Sequence, residues 1–377
     1  MVSTFLQKCG VGRYAEELSV ELSKLCELKF FAEKTEDEIP PLDPSINIPY
    51  ERCYTRGQPY DELLSKIIEY KPDVIHVQFE SSMYNESYMP NSPFLAFLDD
   101  LHKNKIKTCI TFHNVIPFPN FINEDVKGIS FWYSSLNSKL IVGNNLAKNE
   151  YLKWSPNAQV DVIPLGAPIF APIDFGTAST KLNMPDNKIY IVQTGFWGAD
   201  KGMVQLVKLL PELIKKYPEV QLVFAGGLHP TAPEAWRIHV KETIKEIVRL
   251  KVVPYVILLG KFVPEDEVNL WLGLSSVVML NYHWVSGLYS SSASGKRVLC
   301  ANRPIIMNSQ DVRLSEFTDG VNCCKADDEH MLEAIEKCLS DSVFADKIAK
   351  GATEYAFKAR FSNIAQEHLK LYEEALK

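Results

Sequence analysis

Residues 193–210, QTGFWGADKGMVQLVKLL, join an apolar strand to an amphipathic helix through a short loop that carries two glycines and then a lysine. Leu206, Leu210 and Leu213 mark the buried face of that helix. A glycine turn at a helix start is a common anion site, because the free backbone N–H groups and the positive end of the helix dipole point the same way. Lys201 would add an ammonium group. In isolation, the loop fits an ordinary turn with a solvated lysine better, since the phosphate-binding pattern G-x-x-x-x-G-K-[ST] is absent.

The same order of strand, turn and helix recurs along most of the chain. Strands are predicted in the first half at 28–32, 73–79, 107–112, 139–143 and 160–164, and in the second half at 188–194, 220–226, 255–260 and 276–280. Helical patterns lie between them, for example at 12–26 and 59–71. The strands are continuously apolar, which is typical of parallel strands covered by helices on both faces. The pattern therefore predicts an α/β fold with doubly wound parallel sheets.

A change of composition divides the chain. Residues 164–187 are rich in proline, glycine and small polar residues and interrupt the alternation. The sequence therefore predicts two doubly wound domains, 1–165 and 186–358. Ligands usually bind in a cleft between two such domains. The last helical segment, 361–377, could pack on either of them.

The composition sets limits on the function. The 377 residues are 46% hydrophobic and 23% charged, and the net charge of −7 gives no general attraction to nucleic acid. Eight cysteines without metal-site spacing predict reduced thiols in a cytoplasmic protein, and no metal site is expected. No apolar run approaches the ~20 residues that a membrane span needs. Peripheral attachment to the inner face of a membrane and the oligomeric state stay open.

Polar residues follow two apolar strands of the first half. Gln78 and Glu80 end the strand in DVIHVQFESS, and His113 and Asn114 end the strand in TCITFHNV. The carboxyl ends of parallel strands line the ligand crevice of this architecture, so these four side chains are candidates for contact with a substrate. A single histidine after a strand is more often structural, but two polar strand ends together favour a site.

Two further stretches could bind a ligand through backbone and hydroxyl groups. In STFLQKCGVGRYAEELS, residues 3–19, a strand tail and a glycine turn at Gly10 and Gly12 precede a helix, although the full dinucleotide pattern G-x-G-x-x-G is absent. Small residues dominate 286–295, where the chain could approach a ribose or a diphosphate. A helix whose small residues permit close packing explains that second stretch equally well.

In this order, the segments resemble the retaining GT-B glycosyltransferases of family GT4. STFLQKCGVGRYAEEL is similar to the opening of that family, DVIHVQFE and TFHNV to its inner strands, and VIPLGAPIF to its domain exit. GFWGADKG, LLGKFVPEDEV and SGLYSSSASGKRVL are similar to its nucleotide-domain opening, base-binding turn and donor-site helix. The resemblance implies two Rossmann-like domains facing a central cleft. The N-terminal domain would be the acceptor side, with helix 361–377 packed back on it, and the C-terminal domain would bind the donor nucleotide sugar.

The resemblance also implies roles for single residues. His113, near the transferred sugar, and Lys201, at the donor diphosphate, are the implied catalytic residues. The implied donor-binding residues are Gly10, Gly12, Gly195, Phe262, Ser286, Gly287, Leu288, Ser290 and Ser291. The acceptor-side residues are Gln78, Glu80 and Asn114.

The implied reaction transfers a sugar from a nucleoside-diphosphate sugar to an acceptor hydroxyl. The donor would be GDP- or UDP-linked and of mannose or glucose type, and the acceptor a glycan, a lipid-linked sugar or another molecule. No cofactor or metal is required, and the chain has no D-x-D motif. Two alternatives remain: another GT-B enzyme, such as a sugar-nucleotide epimerase or an inverting transferase, and a catalytically inactive homologue that binds sugar nucleotides.

Three positions depart from the pattern of the family. Phe196 stands where family members commonly have arginine. Tyr282 and Ser290 stand where many members carry a pair of glutamates, and residues 268–310 contain no aspartate or glutamate at all. These departures leave the identity of the donor open, and they are the changes that an inactive homologue would carry.

Overall fold

The computed structural model describes residues 1–41, 47–80, 93–115, 138–229, 232–283, 289–311 and 314–377, and the chain forms two compact units. Unit 1 comprises Met1–Gly166, Gly287–Ala293 and Ala359–Lys377, and unit 2 comprises Ala167–Ser286 and Ser294–Lys358. Within the described ranges, no helix combines the length and the apolar character that crossing a bilayer requires.

Unit 1 is built on a seven-stranded sheet in which all neighbouring strands run parallel. Its strands are β1 (Val2–Ser3), β2 (Phe30–Glu33), β3 (Tyr50–Tyr54), β4 (Val74–Phe79), β5 (Lys107–Phe112), β7 (Lys139–Val142) and β8 (Val160–Val162). Their order across the sheet is β3-β2-β1-β4-β5-β7-β8, so the direction of winding reverses between β1 and β4. In a doubly wound sheet, the carboxyl ends of the strands beside such a reversal form the usual ligand crevice.

Helices cover both faces of this sheet. They are α1 (Gly10–Leu22), α2 (Asp61–Tyr70), α3 (Pro93–Lys103), α4 (Asn145–Trp154) and α12 (Phe361–Leu376), numbered in chain order with those of unit 2. Helices α2 and α3 bury apolar side chains in one cluster with Phe31 and Phe79. Helices α1 and α12 pack together in a second cluster around Phe30, which points to the opposite face from Phe31. The last helix therefore lies in unit 1.

A two-stranded antiparallel ribbon also belongs to unit 1. Strand β6 (Asn114–Val115) pairs with β13 (Tyr289–Ser290), with Asn114 opposite Ser290. The predicted second domain, 186–358, includes this segment, whereas the structure groups Gly287–Ala293 with unit 1. The reason is the ladder itself, because pairing with β6 ties the segment to the residue that follows His113. The expected donor-site helix is accordingly shorter, and α9 begins at Ala293.

Unit 2 is built on a six-stranded sheet, again with all neighbours parallel. Its strands are β9 (Ile189–Thr194), β10 (Val220–Ala225), β11 (Val256–Leu258), β12 (Val277–Leu280), β14 (Ile305–Asn308) and β15 (Cys324–Ala326), in the order β11-β10-β9-β12-β14-β15. Its helices are α5 (Phe175–Leu182), α6 (Met203–Lys216), α7 (Glu234–Arg249), α8 (Glu265–Leu274), α9 (Ala293–Val298), α10 (Met331–Ser340) and α11 (Ser342–Lys358). The direction of winding reverses between β9 and β12. Both sheets are therefore parallel and doubly wound, which confirms the α/β fold class predicted from the sequence.

The predicted linker, 164–187, contains a helix. Asp174 caps α5 by accepting a hydrogen bond from the backbone N–H of Thr177 at 2.9 Å. Ala178 of α5 is fully buried in one apolar cluster with Tyr190 and Trp271, so this helix packs on the core of unit 2. Most of the proline and glycine that marks the segment as a boundary lies before this helix, at Pro164, Gly166, Pro168 and Pro172.

Candidate functional site

Two neighbouring strands of unit 1 bring Gln78 and His113 together. Strands β4 and β5 are in register, with Gln78 opposite Thr111, and the backbone N–H of His113 donates to the carbonyl of Phe79 at 2.9 Å. The Oε1 atom of Gln78 lies 2.8 Å from Nε2 of His113. Gln78 is 0% exposed. It therefore contacts His113 from inside the unit, and the direct acceptor contact expected from the sequence is not available to it because no part of its surface is open.

Two buried histidines, His76 and His368, lie near His113. His76 and His368 have ring centroids 5.1 Å apart, and the hydroxyl of Tyr14 lies 3.3 Å from Nε2 of His368. Desolvation by the surrounding protein lowers the pKa of His113 to about 3. Burial, and then the neighbouring His113, lower the pKa of His368 to about 3, and burial, followed by His368, lowers the pKa of His76 well below its usual range. All three rings are therefore neutral near pH 7.

Glu80 and Asn114 form a second pair at the same strand ends. The side-chain Nδ2 of Asn114 donates to Oε1 of Glu80 at 2.7 Å. The Oδ1 atom of Asn114 is buried and has no hydrogen-bond partner among the described residues. Both side chains keep part of their surface exposed. The pair thus offers carboxylate and amide groups of the kind that bind hydroxyl groups.

Ser290 and Ser291 are held in unit 1 by an asparagine that sequence reasoning missed. The Nδ2 atom of Asn144 lies 3.3 Å from the carbonyl of Ser290 and 3.4 Å from Oγ of Ser291. The Oδ1 atom of Asn144 caps α4 by accepting from the backbone N–H of Ala147 at 2.8 Å. An asparagine between a strand and a helix is a recognisable capping signal. Its contact with Ser290 and Ser291, far along the chain, could not be predicted from any sequence pattern.

Gly10 and Gly12 differ in their surroundings at the start of α1. A Cβ atom at Gly12 would lie 2.8 Å from both the carbonyl and the hydroxyl oxygen of Thr4, whereas a Cβ atom at Gly10 would meet nothing within 4 Å. Cys9 is the N-cap residue and makes no side-chain cap hydrogen bond. The first N–H groups of a helix have no partner inside it. Gly10 therefore leaves an open approach to these donors, and Gly12 permits close packing against Thr4.

The loop after β9 gives unit 2 its own group of candidate residues. Gly195 ends the strand with a φ of +106°, and a Cβ atom there would lie 2.6 Å from Oγ of Ser294. A short 3-10 helix, Ala199–Lys201, follows, and α6 begins at Met203 after Gly202 in the left-handed region. The sequence predicts that Lys201 opens the helix. It lies instead in the preceding turn, because the left-handed residue separates the two helical segments.

Lys201 is held by neighbours at the end of β12. Its Nζ atom lies 3.6 Å from the centroid of the Tyr282 ring and 3.2 Å from Oδ2 of Asp200. The Lys201 side chain is 20% exposed. Two side-chain amides hold the backbone of the loop. Nε2 of Gln193 donates to the carbonyl of Lys201 at 2.9 Å, and Nδ2 of Asn281 donates to the carbonyl of Gly202 at 3.0 Å. The result is a cation in a rigid turn beside the point where the winding of the unit 2 sheet reverses.

Aromatic side chains lie at the ends of the next strands. The Phe196 ring lies 4.9 Å from the ring of His229, edge to face, and 6.3 Å from the ring of Phe262. All three residues keep part of their surface exposed. Phe196 therefore contributes an apolar surface where arginine is common in the resembled family, and Phe262 lies beside it. The Tyr282 hydroxyl, at the position of the first missing glutamate, is buried and has no hydrogen-bond partner in the described part of the chain.

Three expected donor-binding residues, Ser286, Gly287 and Leu288, lie outside the described residues. The described ranges contain no group of three or more histidine, cysteine, aspartate or glutamate side chains placed to hold a metal ion. The remaining candidates form two groups. Unit 1 contains Gly10, Gly12, Gln78, Glu80, His113, Asn114, Ser290 and Ser291, and unit 2 contains Gly195, Lys201 and Phe262.

Comparisons with known proteins bear on this arrangement. Residues 9–169 match the family model described as Glycosyltransferase Family 4. A glycosyltransferase from Rickettsia africae ESF-5 has a similar structure, with a TM-score of 0.75 and 15% sequence identity over 100% of this chain and 97% of that chain. HepE from Anabaena, in complex with UDP and glucose, gives a TM-score of 0.74 at 14% identity, over 99% of this chain and 98% of its own.

A sucrose-phosphate synthase from Thermosynechococcus elongatus is similar as well, with a TM-score of 0.72 and 14% identity over 99% of this chain and 97% of that chain. No curated protein sequence matches the chain. The structural likeness establishes the GT-B fold, and together with the family match it confirms the resemblance to the GT4 glycosyltransferases. The family match and the structural likeness support the assignment of the chain as a transferase.

Proposed function

We propose that this chain, a transferase with the GT-B fold, is a retaining glycosyltransferase that moves a sugar from a nucleoside-diphosphate sugar to an acceptor hydroxyl. The observation that carries the proposal is the placement of Lys201. Its ammonium group stands in a rigid turn at the winding reversal of unit 2, against the ring of Tyr282. A fixed cation at that point suits the negative charge that grows on a departing diphosphate.

The open start of α1 gives unit 1 phosphate-binding groups of its own. The backbone N–H groups at Gly10 can bind phosphate oxygens without a steric barrier at that residue. In the proposed step, the bond between the sugar C1 atom and the diphosphate oxygen breaks, and a bond from C1 to the acceptor oxygen forms on the same face. The acceptor proton passes to the departing phosphate. No nucleophilic carboxylate pair is then needed, unlike in most glycosidases.

His113 serves the transferred sugar as a neutral ring. The low pKa of about 3 that desolvation gives His113 keeps it uncharged near pH 7, so it binds a sugar hydroxyl by a hydrogen bond and does not act as a cation. Glu80 and Asn114 bind the acceptor, because their paired carboxylate and amide can accept from and donate to adjacent hydroxyl groups.

The donor is a UDP- or GDP-sugar of glucose or mannose type. HepE has been crystallised with UDP and glucose and with UDP-glucose, which supports uridine as the first base to test. The half-exposed rings of Phe196, His229 and Phe262 offer a surface for a base. On this proposal unit 1 is the acceptor-side unit, and unit 2 binds the donor nucleotide.

One set of observations favours a second function, binding of a sugar nucleotide without turnover. Phe196, Tyr282 and Ser290 replace an arginine and two glutamates that the resembled family commonly has. An inactive homologue would keep the GT-B fold and the Lys201 turn, and would lose the rate that charged groups provide.

A screen of UDP-, GDP- and ADP-sugars separates the two functions. Thermal shift measures binding, and release of the nucleoside diphosphate in the presence of simple sugars or water measures turnover. A glycosyltransferase binds one class and releases its nucleoside diphosphate, with the anomeric configuration retained in the product by NMR. Binding without release identifies an inactive homologue, and an inverted product identifies another GT-B enzyme. The absence of binding across the panel would overturn the proposal.

A further inference from the structure

The side-chain amide of Gln78 lies between two histidine rings. On one side, its Oε1 atom is 2.8 Å from Nε2 of His113. On the other side, its Nε2 atom is 3.2 Å from Nε2 of His76. Gln78 and His76 are 0% and 4% exposed, so these two side chains are closed to bulk water. The direction of the amide therefore decides which nitrogen of each neutral ring carries the proton.

A sulfur atom indicates the direction of the amide. The Nε2 atom of Gln78 also lies 3.7 Å from the Sδ atom of Met1. A thioether accepts hydrogen bonds and cannot donate them, so the NH2 group belongs on this side and the carbonyl oxygen faces His113. A carbonyl oxygen only accepts. The Nε2 atom of His113 must then be the one that carries the proton.

The partners of His76 are consistent with this direction. Its Nε2 atom lies 2.8 Å from Oγ1 of Thr111 and its Nδ1 atom lies 2.6 Å from the hydroxyl of Tyr372. When the unprotonated Nε2 atom accepts from the Thr111 hydroxyl and from the Gln78 amide, the Nδ1–H group donates to Tyr372. Both nitrogens of His76 then have a partner of the opposite kind, as buried polar groups require.

The other nitrogen of His113 is left as an acceptor. His113 keeps part of its surface exposed, and no described residue bonds to its Nδ1 atom. The neighbouring Tyr14 ring contacts it edge to face, with centroids 5.1 Å apart, which limits the turning of the imidazole. A lone pair is therefore presented in a fixed direction at the carboxyl end of β5.

We propose that Gln78 is a positioning residue that fixes His113 as the Nε2–H tautomer, so that Nδ1 accepts a hydrogen bond from a hydroxyl group of the transferred sugar. The inference rests on the proposed function for the identity of the ligand. The tautomer itself is a property of the free protein. A donor sugar with a hydroxyl at the matching carbon is then preferred over the deoxy sugar, which has no proton to give.

The tautomer can be read from nitrogen NMR of the whole chain without any substrate. The protein is labelled with 15N-histidine, and the His113 signals are assigned by their loss in His113→Asn. The expected result is a protonated Nε2 and an unprotonated Nδ1 at pH 7. A protonated Nδ1 in the wild-type chain would overturn the proposal outright.

Three variants test the part played by Gln78. Gln78→Leu removes the acceptor, and we expect the His113 signals to shift toward a mixture of tautomers and kcat/KM to fall about tenfold, the effect of one hydrogen bond. Gln78→Glu keeps an acceptor oxygen and should retain the Nε2–H signal of His113. This variant tests the role of residue 78 even if Gln78→Leu does not fold. Thr111→Val is the matched control, because it removes a buried hydroxyl that is hydrogen-bonded to His76 and leaves the contact between residue 78 and His113 in place.

The outcomes separate this inference from the proposed function. Unchanged His113 signals in Gln78→Leu, or loss of the Nε2–H signal in Gln78→Glu, would contradict a positioning role. If the tautomer responds as expected and no sugar nucleotide binds, the role of Gln78 stands and the glycosyltransferase proposal fails. If sugar transfer occurs and the wild-type tautomer is Nδ1–H, the enzyme function stands and this inference fails.

Discussion

The ammonium nitrogen of Lys201 lies 3.6 Å from the centroid of the Tyr282 ring, while the carboxylate of Asp200 holds it from another side at 3.2 Å. A cation over an aromatic face gains about 0.5–2 kcal/mol, and more when it is shielded from water. The tyrosine at the position of a common glutamate therefore helps to hold the lysine in one place without adding a second negative charge to that of Asp200. A preorganised cation needs little rearrangement when negative charge develops nearby.

Replacement of this cation should slow the proposed reaction. We expect Lys201→Ala to lower turnover by ~10²-fold or more, because one preorganised group at a developing charge is typically worth that much. Lys208→Ala is the control, since Lys208 is exposed on the same helix, α6. Steady-state release of nucleoside diphosphate measures both variants, and circular dichroism checks their folding. Equal activity in the two variants would rule out a role for Lys201 at the diphosphate.

A guanidinium group introduced at position 196 should strengthen binding of the nucleotide. Phe196 is half-buried beside Phe262, where the resembled family commonly carries arginine. We expect Phe196→Arg to tighten the Kd of a nucleoside diphosphate about fivefold to tenfold, because a charge-assisted hydrogen bond adds to the Lys201 interaction. Phe357→Arg adds the same charge to the exposed side of unit 2 and should leave the Kd unchanged. Calorimetry would show the difference, and identical affinities would argue against a phosphate near residue 196.

The two glycines at the start of α1 should respond in opposite ways to the same substitution. Gly12→Ala places a methyl group 2.8 Å from the carbonyl oxygen of Thr4, so we expect a loss of about 1–3 kcal/mol of unfolding free energy. Gly10→Ala meets nothing within 4 Å and should be neutral or stabilising by up to about 1 kcal/mol, as alanine favours a helix.

For nucleoside diphosphate binding, we expect the larger effect from Gly10→Ala, the variant with the smaller effect on stability. Gly10→Ala narrows the approach to the helix start and should weaken nucleoside diphosphate binding in the folded protein. Urea unfolding and calorimetry give the two quantities independently. A Gly10→Ala variant that binds as tightly as the wild type would remove this helix start from the site.

The buried histidines should make the stability of unit 1 depend on pH below neutrality. Burial, and then His113, hold the pKa of His368 at about 3 in the folded chain, against about 6.5 when unfolded. The unfolded chain therefore binds the extra proton first, so the stabilising contribution is complete above pH 6.5 and decreases as the pH falls toward 3.

A variant isolates the contribution of His368. Between pH 6 and pH 5, the slope of unfolding free energy against pH should be smaller in His368→Gln than in the wild type, by up to about 1.4 kcal/mol per pH unit. Urea titrations at several pH values measure this slope. The chosen window lies above the range in which carboxylates titrate in an unfolded chain. Parallel curves for the two proteins would show that His368 does not titrate on unfolding.

Long apolar strands were predictable because burial on both faces leaves a strong pattern. KTCITF is predicted at 107–112, and β5 spans Lys107–Phe112. The edge strand β3 was missed, since YERCY mixes charged and aromatic residues and only its last two residues are buried. Strand β15, Cys324–Ala326, is too short to carry a pattern.

The candidate site was predictable where it follows strand ends and unpredictable where distant segments meet. Gln78 and His113 come together because each ends a strand of the same parallel pair. The pairing of Asn114 with Ser290 joins positions 176 residues apart, and no local spacing encodes it. The burial of Gln78 was also hidden, because a polar side chain at a strand end looks the same in sequence whether it faces solvent or a neighbouring histidine.

Unit 1 contains both ends of the chain, and this affects the order in which the two units can fold during synthesis. Every residue of unit 2 leaves the ribosome before α12, which unit 1 needs to cover α1 and to supply Tyr372 to His76. Domains generally fold as units, usually from the N-terminus onward. Here the unit that starts first finishes last. A nascent chain from which residues 1–358 have emerged would hold a complete second unit and a first unit whose apolar α1 face is not yet covered by α12.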